Sequence, residues 1–102
     1  MKNYKTVSCN LIILESHELN YQELGELEEY IDALVSEGKI HIILDFSAVE
    51  YISSIGMGGL LTISQSLQQK KGSLKLIHVH AIYDMLITGG LHQIIDIYTK
   101  AE

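Results

Sequence analysis

A chain of 102 residues, 47% of them apolar, is enough for one domain spanning 1–102 that buries roughly two thirds of its unfolded surface without disulfides. That apolar content excludes disorder, and no apolar run approaches the roughly 20 residues needed to cross a bilayer, so no direct membrane insertion is expected. The formal net charge of -6, from 13 acids against 7 basic residues, argues against nucleic acid and anionic membrane surfaces as partners.

The run from Met1 to Ser8 holds no apolar signal core, which makes the cytoplasm the expected location. Lys2 to Ser8 and Leu11 to Glu15 lean towards strand around a turn at Cys9-Asn10. Cys9 is the only cysteine, so no internal disulfide forms and a buried thiol is expected. Ser16 to Asn20 reads as a polar loop, with Asn20 as N-cap and Glu23 completing a capping box. From Tyr21 to Ser36 the set Tyr21, Leu24, Leu27, Ile31, Leu34 and Val35 follows helical spacing, and Gly38 ends the helix. Glu18, Glu23, Glu26, Glu28, Glu29, Asp32 and Glu37 crowd this region. The helix should present a negative outer face, either simply solvated or steering a basic partner.

Lys39 to Leu44 reads as the central strand, nearly continuous in apolar residues, and Asp45 closes it. Ser47 to Ser54 reads as loop and entry turn, followed by a second helix from about Ile55 to Gln69 in which Leu60, Leu61, Ile63 and Leu67 recur at helical spacing. Lys70-Lys71-Gly72 is a helix stop with cations at the negative dipole end. Leu74 to Val79 reads as a strand, Ala81 to Thr88 as a short helix ending at Gly89-Gly90, and Ile94 to Tyr98 as a last strand. This alternation predicts an α/β fold: a small mixed, mainly parallel β-sheet, opened by a hairpin, with α-helices packed on it. In such sheets functional loops gather at the carboxyl ends of the strands, and the segment from Asp45 to Gly58 leaves from one of them.

A catalytic site is hard to assemble from these residues. Of His17, His41, His78, His80 and His92, only His78 and His80 are close, sharing a face of the predicted strand, and no third metal ligand has suitable spacing. Ser53-Ser54-Ile55-Gly56 lacks the leading glycine of a hydrolase elbow, and Gly56-Met57-Gly58-Gly59 lacks the lysine of a phosphate loop. A non-enzymatic protein without metal or cofactor is the expectation. The two hydroxyls of Ser53 and Ser54 nonetheless sit where a helix begins, a place that favours hydroxyl caps and also holds phosphate. The plain account is that one caps the helix and the other satisfies a turn.

The whole string after the central strand carries more. Asp45-Phe46-Ser47-Ala48-Val49-Glu50-Tyr51-Ile52-Ser53-Ser54-Ile55-Gly56-Met57-Gly58, in the order acid, small polar, apolar, aromatic, Ser-Ser-x-Gly-apolar-Gly, resembles the signature of the STAS domain, found in sulfate transporters and bacterial anti-sigma factor antagonists. The predicted element order and the Thr88-Gly89-Gly90-Leu91 step are similar to the family across most of the chain. The resemblance implies a STAS-like fold and an anti-sigma factor antagonist whose switch is Ser54, phosphorylated by an anti-sigma factor serine kinase and restored by a phosphoserine phosphatase. It implies a partner-binding surface of Asp45, Ser53, Ser54, Ile55, Gly56, Met57 and Gly58. The alternatives are a docking subunit of a transporter ATPase or larger signalling complex, with Ser54 only a cap, and a nucleotide-binding loop. Ser53 stands where the family typically has aspartate, and Ile55 where a small residue is common. Thr99 to Glu102 stands where antagonists commonly carry a closing helix, so a partner or a second copy, as in a homodimer, is expected to cover the sheet edge if it is not left open.

Overall fold

The computed structural model describes residues 4–8 and 11–98. Strand propensity is realised where apolar residues alternate. Ile12 and Leu14, Ile42 and Leu44, and Leu74 and Leu76 are all buried on one face of the main sheet. Its strands are β1 (Tyr4–Ser8), β2 (Leu11–Leu14), β4 (His41–Asp45), β6 (Ser73–Ile77) and β7 (Asp96–Ile97), in the order β1-β2-β4-β6-β7. The β1–β2 pair is antiparallel and the others are parallel, which is the mixed, mainly parallel sheet expected.

The parallel pairs require crossovers, and helices supply them. Helix α1 (Tyr21–Ser36) buries Leu24, Leu27, Ile31 and Leu34, and α2 (Ser54–Gln69) buries Gly56, Gly59, Leu60, Ile63, Ser64 and Leu67. These stripes join the buried strand residues in one core with Phe46, Val49, Val79, Ile82 and Leu86. A Cβ on Gly59 would run into the Leu24 side chain of α1, so the two helices meet closely because Gly59 has none. The short α3 (Tyr83–Thr88) and a 3-10 turn at Leu91–Gln93 complete the chain before β7.

Several boundaries differ from the expected ones. The central strand begins at His41 rather than Lys39 and includes Asp45. Strand β6 ends at Ile77, because His78 turns to φ 56 and leaves the extended region, so His78 and His80 are not neighbours on a strand face. Helix α3 begins at Tyr83 rather than Ala81, and the last strand is only Asp96–Ile97 because Ile94 and Ile95 are drawn onto the 3-10 turn by bonds from their amides to the Leu91 carbonyl. The two segments read as loops, Ser16 to Asn20 and Ser47 to Ser54, hold a parallel ladder, β3 (Glu18–Leu19) with β5 (Tyr51–Ile52), whose Leu19 and Ile52 are buried. The capping box is half realised: Asn20 Oδ1 accepts from the amides of Gln22 and Glu23 at 3.1 and 3.3 Å, while Glu23 Oε1 is buried without a partner. Lys2, Asn3, Cys9, Asn10 and Thr99 to Glu102, on which the start of a strand, a turn, a buried thiol and a sheet edge either open or covered by a partner or second copy were expected, lie outside the described residues.

Candidate functional site

The carboxyl end of β4 starts the site. Asp45, 9% exposed, turns its carboxylate onto the Ser47 amide at 2.8 Å, which bends the chain out of the sheet. The chain then returns beside β3: the His17 carbonyl accepts from the amides of Glu50 and Tyr51, and the β3–β5 ladder fixes Ile52 next to Leu19. This ladder aims α2, because Ser53 follows it directly and its hydroxyl lies 3.5 Å from the Leu19 carbonyl.

Ser53 is the N-cap of α2. Its backbone is extended, at φ -79 and ψ 166, and its hydroxyl accepts from the Gly56 amide at 3.0 Å. Ser54 is therefore the first helical residue, exposed, with no side-chain partner among the described residues. The two adjacent hydroxyls have different surroundings. One is engaged on both sides, the other is open.

The signature glycines also divide. Gly56 is buried, and a Cβ there would meet the Leu19 carbonyl, so its small size serves the chain's own packing. Gly58 is exposed and has nothing within 4 Å of a Cβ. Ile55 projects at 56% exposure, while Met57 is half-buried and its sulfur would lie 2.9 Å from a Cβ on Gly89, at the end of α3. Of the sequence-named set, Ser54, Ile55 and Gly58 are exposed, Ser53 and Met57 are partly covered, and Asp45 and Gly56 are structural and inside.

Ser54 opens onto a cleft of about 510 Å³ whose other walls are Tyr51, Ile52, Met57, Asp84, Met85 and Thr88. The α3 wall of this cleft is absent from the sequence reading, which places the surface on the α2 side alone. Nothing in a six-residue helix announces it; α3 is placed there by its buried Leu86 in the core, with Met57 close to Gly89 at its end. The exposed apolar residues Tyr21, Tyr51, Ile55 and Tyr83 stand at the starts of α1, β5, α2 and α3, on the edge of the sheet where β4 and β6 end. No group of three metal-ligating side chains occurs among the described residues.

With this geometry in place, comparison with known proteins gives a family. Residues 2–102 match the profile of the STAS domain. The chain belongs to the STAS domain family. Among curated relatives, a Bordetella bronchiseptica protein named "Putative anti-sigma factor antagonist BtrV" is 30% identical over 71 residues, a match that spans 66% of this chain and 61% of that protein. Among solved structures, the Thermotoga maritima protein TM1081, described as an anti-sigma factor antagonist of the same provisional kind, is similar in both its crystal and its NMR form. The crystal form aligns at TM-score 0.75 and 26% identity over 93% of this chain and 83% of that one; the NMR form aligns at 0.81 and 27% over 98% and 82%. The anti-sigma factor antagonist SpoIIAA in its unphosphorylated form aligns at 0.70 and 17%, over 97% of this chain and 87% of that one, which shows a shared fold. The Bordetella protein, the Thermotoga crystal structure and SpoIIAA are thus anti-sigma factor antagonists by name, and in this STAS chain the exposed hydroxyl at the start of α2 is that of Ser54.

Proposed function

We propose that this STAS domain is a cytoplasmic anti-sigma factor antagonist that works by partner switching controlled at Ser54. In the unmodified form it binds an anti-sigma factor serine kinase, and the sigma factor held by that kinase is released. The kinase then phosphorylates Ser54 from ATP, the complex dissociates, and a phosphatase restores the hydroxyl. The domain itself is a binding module with no catalytic step of its own.

The observation that carries this reading is the division of labour between the two serines. Ser53 holds the cap with its hydroxyl, so modifying Ser54 leaves the cap intact. A phosphate on Ser54 adds about -1.5 to -2 charges at the positive end of a helix dipole, where it is tolerated in the isolated domain. At a packed interface the same group must be desolvated against the partner, and binding is lost. The docking-subunit alternative, in which Ser54 is only a cap, is weakened because the cap is Ser53.

The test begins with mapping. Incubation with ATP and the anti-sigma factor kinase it binds should add one phosphate, recovered on Ser54; recovery on Ser53 or Thr62 would place the switch elsewhere. Ser54→Ala should then hold the kinase at near wild-type affinity, whereas Ser54→Asp should bind at least about tenfold more weakly, the equivalent of about 1.4 kcal/mol. Equal affinities for the two variants would remove the switch.

A further inference from the structure

A second cleft, of about 180 Å³, runs between α1 and α2. Its floor is apolar, formed by Ile31 and Val35 of α1 and Ile63 and Leu67 of α2. Its rims are polar and differ in kind. Glu28 and Asp32 stand one helical turn apart on the α1 rim, and Thr62 and Ser66 one turn apart on the α2 rim. The Thr62 hydroxyl donates to the Gly58 carbonyl at 3.1 Å, so it has only acceptor lone pairs left for a ligand. Neither rim carboxylate has an ion-pair or hydrogen-bond partner among the described residues.

The surroundings do not neutralise this acidity. Helix α1 carries Glu23, Glu26, Glu28, Glu29 and Asp32 and no basic residue, and α2 carries no ionisable residue from Ser54 to Gln69. Lys39, Lys70 and Lys71 lie beyond the carboxyl ends of the two helices, and Lys39 is paired with Glu37 at 3.2 Å. A second copy of the chain would bring another net charge of -6 and the same acidic helix, so self-association through this face is opposed. An occupant must therefore supply both apolar and cationic groups.

We propose that the α1–α2 cleft docks a basic amphipathic helix of a partner protein. An aliphatic side chain enters between Ile31 and Leu67, and lysines or arginines one turn away meet Glu28 and Asp32. Two packed helices offer the groove that a third helix fills, in the helix-in-groove mode of recognition. Thr62 is eight residues along α2 from Ser54, about 12 Å, so this surface is distinct from the phosphorylation site and does not depend on that reading.

The experiment is an NMR titration of the isotope-labelled protein with a synthetic peptide of about 18 residues, leucine and lysine placed at helical spacing. Amide shifts should concentrate at Ile31, Val35, Thr62 and Ser66. Glu28→Lys combined with Asp32→Lys should weaken binding about tenfold or more, whereas Glu29→Lys with Glu37→Lys, an identical change in net charge outside the cleft, should cost less than about threefold. Replacing every leucine of the peptide by serine should also weaken it about tenfold or more. Equal losses in the two double variants, shifts spread over all acidic residues, or undiminished binding of the serine peptide would each overturn the cleft as a docking site.

Discussion

Ser53 shows how one atom decides what a position tolerates. Where the family typically places aspartate, this chain has serine, and the position is the N-cap of α2. Both residue types rank among the best caps, since each offers an oxygen to the free amides of the first turn. The substitution therefore keeps an acceptor oxygen at the N-cap and removes one negative charge beside Ser54. Ser53→Asp should leave stability nearly unchanged, while Ser53→Ala should cost about 0.5 to 2 kcal/mol in denaturant unfolding. A loss from Ser54→Ala as large as that from Ser53→Ala would reverse the assignment of the cap. The glycines extend the test: Gly56→Ala forces a methyl into the Leu19 carbonyl and should destabilise clearly, whereas Gly58→Ala has open space and should gain about 0.5 to 1 kcal/mol from helix propensity.

At the scale of elements, both long helices stop in the same way with different residues. After α1, the Lys39 amide bonds the Leu34 carbonyl at 3.0 Å and the Gly38 amide bonds Val35 at 2.9 Å; after α2, Gly72 bonds Leu67 at 2.7 Å and Lys71 bonds Gln68 at 2.9 Å. This six-to-one and five-to-two pattern needs a left-handed residue, which is Gly38 at φ 85 in one case and Lys71 at φ 65 in the other. Lysine there carries a steric cost that glycine escapes. Lys71→Gly should raise stability by about 1 kcal/mol and Gly38→Ala lower it by a similar amount, read from chemical melts; a loss on Lys71→Gly would mean that the lysine side chain contributes more than its backbone costs. Elements of this length were legible because periodicity and stop residues agree over 16 residues in each helix. The β3–β5 ladder was not legible, since a two-residue strand has no period and its pairing depends on where α2 must start. The same limit applies to the site. The serines and glycines are close in sequence and could be read, but Asp84, Met85 and Thr88 share the cleft with Ser54 only through tertiary packing, with Leu86 in the core and Met57 beside the end of α3.

At the scale of the molecule, charge is unevenly distributed and the isolated domain bears the consequence. Glu28 and Asp32 are four residues apart on α1, and Glu26 and Glu29, like Glu29 and Asp32, are three apart, so like charges are neighbours along one helix. Each such pair costs roughly 0.2 to 0.5 kcal/mol in water, and Asp32 and Glu37 also lie towards the negative end of the helix dipole. Only Glu23, in the first turn, is placed where the dipole favours it. Added to a net charge of -6, this makes electrostatics a destabilising contribution that salt should screen, since the Debye length falls from about 30 Å at 0.01 M to about 10 Å at 0.1 M. The midpoint of thermal unfolding should therefore rise by a few degrees between low and moderate sodium chloride. Glu29→Lys, which turns the two repulsive pairs with Glu26 and Asp32 into attractive ones, should raise the low-salt midpoint and flatten the salt dependence. A midpoint that falls with salt would mean that favourable ion pairs outweigh this repulsion, and the acidic face of α1 would then be a stabilising feature of the fold rather than a surface held ready for a basic partner.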